Sequence, residues 1–203
     1  MPGLGLQRFV AEVSYGRRDE SIVVQAHGLK VGEAEMSLRV ASRQEDWDIA
    51  ASLQSVPLKA VVGLATSFGI AVPIDISSGA ITAKLSATGG EDQVRTAAVR
   101  GELHSLTLNN ESGSLASDTL ALAFDIQLER ASQQWTYELE LSANSGQAYA
   151  EPIFLDFAAH PLQLKSSGTR EATGEVRLAR FDIDHASVLQ AHGTALLDPK
   201  QQQ

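Results

Sequence analysis

Apolar and polar positions alternate strictly through Leu120, Leu122, Phe124, Ile126 and Leu128, with Ala121, Ala123, Asp125, Gln127 and Glu129 between them. A period of two is what a strand with one dry and one wet face requires. After Arg130-Ala131-Ser132-Gln133-Gln134 the alternation resumes at Trp135, Tyr137, Leu139 and Leu141, separated by Thr136, Glu138 and Glu140. So short a polar loop predicts an antiparallel hairpin whose two strands share one apolar face. What that face is pressed against, protein or ligand, is the functional question.

The same period recurs along the chain. Phe9, Ala11, Val13 and Tyr15 predict a strand ending at Gly16-Arg17-Arg18-Asp19, and Ile22, Val24 and Ala26 predict a second, closed by Gly28. Ala34, Met36, Leu38 and Val40 form a third, and Trp47, Ile49, Ala51 and Leu53 a fourth. Beyond Gly79, the set Ile81, Ala83, Leu85 and Ala87 makes another, followed by Val94 to Leu103. There the apolar parity switches to Leu106 and Leu108, which predicts a bulge at His104-Ser105. After the central hairpin come Ile153, Leu155 and Phe157, then Leu162 and Leu164. A strand with Val176 and Leu178 switches parity to Phe181 and Ile183, a second predicted bulge, and Val188 to Leu197 form the last. Short strands at even spacing with turn residues between them read as an antiparallel meander.

One stretch has a different period. From Ser55 to Gly69, the residues Leu58, Val61, Val62, Ala65 and Phe68 follow three-and-four spacing. This predicts a single helix near residues 56–68, with Ser55 as cap, Pro57 in the first turn and Gly69 at the C-terminal left-handed position. Such a helix is expected to plug or flank the sheet, with a mobile lid as the alternative. A weak repeat accompanies the strands: Gly79-Ala-Ile81, Gly101-Glu-Leu103 and Gly174-Glu-Val176 each read as a strand opened by glycine, and Gly113-Ser-Leu115 is a looser copy. About a dozen strands result, and twisted open sheets rarely exceed about ten without curling, splitting or closing.

Composition narrows the chemistry. The 203 residues carry a net charge of −9, which disfavours nucleic acid and anionic membrane surfaces, and they are enough for one sizeable core. The absence of cysteine removes disulfides, thiolate metal sites and a cysteine nucleophile. Met1 to Arg8 has neither a basic n-region nor a long apolar core, so no signal peptide is read there, and no apolar run is long enough to span a bilayer. The expected organisation is a single module over 1–203, ordered from about residue 6 to 197, with a frayed polar tail at 198–203.

The search for catalysis comes up short. No phosphate loop, zincin motif or nucleophile elbow is present, and His27, His104, His160, His185 and His192 are scattered. Asp182-Ile183-Asp184-His185 is the one cluster that resembles a cation site, and it reads as the wet end of a strand. Asn110-Glu111-Ser112 fits the glycosylation acceptor pattern, a match that arises often by chance. Two Trp, three Tyr and six Phe, spread thinly over the strands, do not form a stacking platform for sugars or bases. No catalytic residue, metal ligand or cofactor is assigned, and the reading is non-enzymatic.

Gly79-Ala-Ile-Thr-Ala-Lys-Leu85, Gly101-Glu-Leu-His-Ser-Leu-Thr-Leu108, the Leu120–Leu128 alternation, Gly146-Gln-Ala-Tyr149 and Pro161-Leu-Gln-Leu164, together with the capped helix, carry a resemblance. The pattern, from about Leu6 to Leu197, resembles the AsmA-like superfamily of Gram-negative envelope proteins, which includes the TamB and YdbH families. The resemblance implies a long antiparallel meander sheet curled into an open groove, a β-taco, in bridge-like proteins anchored in the inner membrane. Such proteins are thought to carry phospholipid across the periplasm to the outer membrane. It implies periplasmic location, phospholipid acyl chains as ligands, and adjoining groove segments of the same or a longer chain as partners. The chain lacks the family's N-terminal anchor and its length, which suggests a fragment or single module.

On this reading the lipid-binding floor comprises Ile81, Ala83, Leu85, Leu103, Leu120, Leu122, Phe124, Ile126, Leu128, Trp135, Tyr137, Leu139 and Leu141. Covering an acyl chain contributes about 0.8 kcal/mol per methylene, so the floor should be continuous and free of charge. Pattern alone favours a structural or adhesive β-sandwich whose two apolar faces cover each other, because alternation does not say whether protein or lipid is the covering layer. A β-rich hydrolase, the third possibility, has no nucleophile to support it.

Overall fold

The structure is a computed structural model that describes residues 10–16, 21–31, 34–67, 69, 73–90 and 93–197. Phe9, the Arg17-Arg18 turn, Phe68 and the tail from Asp198 lie outside the described residues.

The described residues form twelve strands and one helix. In order these are β1 (Val10–Gly16), β2 (Ser21–Val31), β3 (Ala34–Arg43), β4 (Asp46–Pro57), α1 (Leu58–Ser67), β5 (Asp75–Gly90) and β6 (Gln93–Asn109). Then follow β7 (Leu115–Ala131), β8 (Gln134–Ala150), β9 (Ile153–Asp156), β10 (Leu162–Arg170), β11 (Val176–His185) and β12 (Leu189–Leu197). All belong to one sheet, an antiparallel meander in the order β1-β2-β3-β4-β5-β6-β7-β8-β10-β11-β12, with β9 paired to the end of β8. The sheet is curled and open, for β1 and β12 do not pair with each other. Among the described residues the strands therefore do not form a two-sheet sandwich.

Because β9 prolongs the β8–β10 connection instead of adding a row, eleven strands stand side by side. At about 4.8 Å between strands the row is about 50 Å long, somewhat shorter than twelve rows would give. The strands β6, β7 and β8 have 17 residues each, which at about 3.3 Å per residue makes the sheet about as wide as it is long.

A line of irregular residues crosses the sheet. Ser55 in β4, Gly79 in β5, Ser105 in β6, Thr119 in β7 and Gly146 in β8 all have positive φ, at 50°, 132°, 50°, 48° and 81°. The ladder register shifts beside each of them. They are neighbours in space: Ser78 Oγ donates to the Ser105 carbonyl at 3.1 Å, and the Thr119 amide donates to Thr107 Oγ1 at 3.2 Å. Each bulge bends and twists its own strand. Lined up across five strands, they bend the whole sheet along one seam. The bulge expected at His104-Ser105 is part of this seam, and the one expected before Phe181 is present as a register shift between Leu178 and Phe181. Gly28 (φ 65°) sits at a comparable shift inside β2, so that strand continues past the glycine expected to close it.

The helix is shorter than its periodicity suggested. Ser55 and Pro57 belong to β4, where Ser55 forms the bulge in place of a cap. Gly69 does take the left-handed position (φ 79°), its amide donating to the Thr66 carbonyl at 3.0 Å. Leu58 and Val62 turn inward while Val61 is exposed, so one expected member of the apolar face points to solvent.

The repeat of strand-opening glycines does not hold. Gly79 and Gly101 lie inside β5 and β6, and Gly113 and Gly174 occupy turns, with only Gly174 and Gly113 just ahead of their strands. Four glycines at similar sequence positions do different jobs.

The candidate apolar floor

Directly opposed residues in an antiparallel ladder share a face. Following register from strand to strand therefore shows which side chains lie together. From Leu53 on β4 the row runs through Ala83, Gly101, Phe124, Leu141 and Leu164 to Ile183 and Ala191. A parallel row runs from Val13 through Val24, Val40, Ile49, Ala87, Ala97, Leu128 and Tyr137. All thirteen expected floor residues fall on this one face of β5 to β8. The face also extends over β1–β4 and β10–β12, beyond the expected set.

The opposite face is polar and closed by its own ion pairs. Glu140 and Lys165 are directly opposed and 2.8 Å apart, Arg100 Nε donates to Asp125 at 2.6 Å, and Arg39 meets Asp48 at 2.7 Å. Arg95–Asp46 and Arg180–Asp182 are further pairs. Exposed pairs of this kind contribute about 0–1 kcal/mol each. Their value here is chemical: this face carries charges suited to water.

The apolar face has no comparable cover. Of the thirteen, only Ala83 is buried, Leu85 and Leu128 are exposed, and the others are half-buried, with Ile81, Leu103 and Leu120 packed against the cluster of Leu58, Ile76 and Leu106 beneath the helix and so not part of the bare floor. Among the described residues the buried apolar ones are Ala41, Val56, Leu58, Ile76, Ala83, Leu106, Ala143 and Phe157, and no large side chain is fully buried. The accessible surface is 13918 Å². A compact monomer of this mass would expose only about 9,000 Å² by the usual size scaling. The excess reflects a single sheet over which, among the described residues, only α1 and the Phe157 segment lie.

Among the described residues, cover is concentrated at the bulge seam and beyond it, reaching Ile81, Leu103 and Leu120 at the edge of the floor. There α1 lays Leu58 and Val62 against Ile76, Ile81, Leu103, Leu106, Leu108 and Leu120. The approach is close enough that a Cβ on Gly79 would lie 3.0 Å from Leu58 Cδ1 and 3.1 Å from Leu106 Cα. Ser117, buried at this level, is satisfied by donating to the Leu106 carbonyl at 3.0 Å. Farther along, Phe157 folds over the end of β11, its ring centroid 6.1 Å from that of His185, and His160 lies edge-on to His185 at 6.0 Å. One rim of the face is thus capped, and the broad middle is bare.

Aromatic side chains keep that middle low. Trp47, Phe124, Tyr137 and Phe181 are each directly opposed to a glycine on the next strand: Gly89, Gly101, Gly168 and Gly193. Each ring lies over its glycine. A Cβ on Gly101 would come within 2.9 Å of Phe124 Cζ, one on Gly168 within 3.0 Å of Tyr137 Cε1, and one on Gly193 within 2.9 Å of Phe181 Cε1, while at Gly89 it would collide with the Trp47 ring. The four pairs bridge β4/β5, β6/β7, β8/β10 and β11/β12, so every second strand junction in this part of the sheet is paved by a ring. Rings that stood upright would fill the space a ligand needs; rings laid on glycine leave it open.

Between the seam and the hairpin turns, Ile49, Ala51, Leu85, Ala87, Ala97, Val99, Ile126 and Leu128 line a shallow hollow of about 370 Å³. The polar face has hollows of about 620 and 550 Å³, the first lined by Lys84, Arg100, Glu102, Asp125, Glu140 and Lys165 among others. A twisted sheet is saddle-shaped, which gives each face a concavity. The apolar one is not free of charge to its edge. Arg130 and Arg170 are both directly opposed to Trp135 at the hairpin rim, and Arg130 stacks 5.9 Å from the indole. Charge-free floor ends at Tyr137 and Leu128.

The tempting polar clusters are separated. Asp182 and Asp184 share the polar face, where Arg180 and Gln190 bind them, whereas His185 is on the apolar face and buried. No grouping of three or more His, Asp or Glu suited to a metal occurs among the described residues. Asn110 is engaged in its turn, its Oδ1 accepting from the Leu115 amide at 3.0 Å and its Nδ2 donating to Ser114 Oγ at 2.9 Å.

Fold and face together define a single-sheet open β-groove with one apolar and one charged surface. Compared with known proteins, the chain matches no family model, no curated protein and no solved structure.

Proposed function

We propose that this chain is a non-enzymatic lipid-binding module whose apolar face holds phospholipid acyl chains. The observation that carries the reading is the bare apolar face, continuous across the meander and paved low by rings on glycines. Each methylene covered there contributes about 0.8 kcal/mol, so a single acyl chain supplies several kcal/mol without any polar recognition site. Lipid headgroups lie at the rim, in water. In keeping with the AsmA-like resemblance, the module is a segment of a longer, inner-membrane-anchored bridge-like protein in the Gram-negative periplasm that moves phospholipid between inner and outer membranes.

Native mass spectrometry with lipid extraction from the purified protein tests this. The expected result is copurifying phospholipid and saturable uptake of a labelled phospholipid. Protein that is folded, lipid-free and unable to take up the label overturns it, leaving the face as a docking surface in a structural or adhesive interaction domain.

A further inference from the structure

Resting on the lipid-binding reading above, we propose that the hairpin-turn rim of the apolar face is a headgroup site. There Arg130 and Arg170, on either side of Trp135, hold the phosphodiester anion of a bound phospholipid. Both arginines are directly opposed to Trp135, from β7 and β10, so their backbones are about two strand spacings, some 10 Å, apart. In the register rows of the apolar face between the seam and this rim, they are the only Lys, Arg, Asp or Glu among the described residues. Arg39, Arg95, Arg100, Arg180 and Lys165 each meet a carboxylate, but neither Arg130 nor Arg170 has an ion pair among the described residues. Arg130 Nε donates to the Ser132 carbonyl at 3.1 Å and its guanidinium stacks on the indole, which leaves the Nη amines for a ligand; Arg170 is exposed. The neighbouring carboxylates are engaged elsewhere. Glu129 is on the polar face opposite Thr136, and Glu171 accepts from Gln134 Nε2 at 2.5 Å.

The aromatic residues are sorted in the same direction. Both tryptophans, with Tyr15 and Tyr137, lie on the apolar face at this rim. Tyr15 and Trp47 share one row through Ile22 and Ser42, and Trp135 and Tyr137 are the first two positions of β8 on that face. The described phenylalanines lie deeper, Phe124 and Phe181 on the floor and Phe154 and Phe157 toward the far end. Rings with a polar handle settle where hydrocarbon meets water, and phenylalanine does not need to. The floor also has the right length. From Leu128 to Leu122 is about 20 Å at about 3.3 Å per residue, and one bilayer leaflet, half of a hydrocarbon core of about 30 Å, is about 15 Å deep. One acyl chain laid along the strands therefore has its headgroup at the arginines and its methyl end near the helix-covered seam. An anion tethered to an acyl chain fits both ends of this arrangement. A neutral lipid leaves two cations unopposed, and free phosphate leaves the floor uncovered.

Uptake of labelled phosphatidylglycerol, and of labelled diacylglycerol with the same acyl chains, each delivered from cyclodextrin, tests the proposal. Arg130→Gln with Arg170→Gln should weaken phosphatidylglycerol uptake roughly tenfold at low salt and less at high salt, and should leave diacylglycerol uptake and the circular dichroism spectrum unchanged. Arg170→Gln alone, at an exposed side chain, should give part of that loss. Lys165→Gln with Arg177→Gln removes the same charge from the polar face and should alter uptake of neither lipid. The proposal is overturned if the rim pair weakens both lipids alike or neither, or if the polar-face pair costs phosphatidylglycerol as much. Binding of inorganic phosphate that the rim pair abolishes while phosphatidylglycerol uptake persists assigns the arginines to a free anion, and overturns it too. Wild-type protein that takes up neither lipid overturns the lipid-binding reading and the headgroup site with it, an outcome distinct from failure at the arginines.

Discussion

The phenyl ring of Phe124 lies on the backbone of Gly101, its directly opposed residue across the β6/β7 junction. That contact joins local sequence to the shape of the face, because any side chain at position 101 would lift the ring away from the sheet. It also bars a Cβ from the other side, where Ala83 Cβ would be 2.8 Å away and the Thr82 carbonyl 2.5 Å. Gly101→Ala should destabilise the chain by about 1–3 kcal/mol, the usual cost of overpacking. Gly63→Ala in α1, where an added Cβ meets nothing within 4 Å, should stabilise by about 0.5–1 kcal/mol through helix propensity. Urea denaturation of the two variants gives opposite shifts; a shift of the same sign would refute the ring-on-glycine account.

The bulge seam makes a paired prediction. A Cβ on Gly146 would be 2.5 Å from both Leu120 Cα and the Thr119 carbonyl, in a residue at φ 81°. Gly146→Ala should therefore cost about 2 kcal/mol or more, as it adds a backbone clash to a left-handed conformation. Ser105→Gly, at φ 50°, should be neutral or stabilising by up to about 1 kcal/mol. Thermal unfolding distinguishes a seam that is a built feature from a set of unrelated irregularities. In the latter case Gly146→Ala would be well tolerated.

Charge placed on the two parts of the apolar face should have different consequences. Leu122→Glu and Leu139→Glu sit on the bare floor, half-exposed already, and should leave the far-ultraviolet circular dichroism unchanged while abolishing uptake of labelled phospholipid. Leu58→Ala and Leu106→Ala fall beneath the helix and should lower stability by about 2–4 kcal/mol, near the range for large-to-small changes in a core. Unfolding by Leu122→Glu would show that protein, and not ligand, covers the floor.

The polar face supplies the control. Lys165→Gln removes the exposed partner of Glu140 and should change stability by less than about 1 kcal/mol. Lipid uptake should be unaffected, and a loss comparable to that from Leu139→Glu would move the binding surface to the charged side of the sheet.

Period-two alternation sufficed for the number of strands, their antiparallel order, the shared face of the Leu120–Leu128 hairpin and both parity-switch bulges, because each is a short-range consequence of which side chains avoid water. That all thirteen expected residues share one face was legible in the same way. Less was legible where one residue type can serve several ends. Ser55 looked like a helix cap and is a bulge; Gly101 looked like a strand opener and is the bed of an aromatic ring. A glycine's purpose depends on the residue opposite it, and that partner is 23 positions away in the case of Phe124.

The sequence by itself determined that this chain is a meander of amphipathic strands with one dry face, since a side chain's preference for water is written into each residue. Only the tertiary structure decided that, among the described residues, the middle of the dry face is left bare. The alternation of a sandwich and that of an open groove are identical. The difference arises when long-range register and the bulge seam place every described strand in one sheet, with only the single helix and the Phe157 segment lying upon it among the described residues.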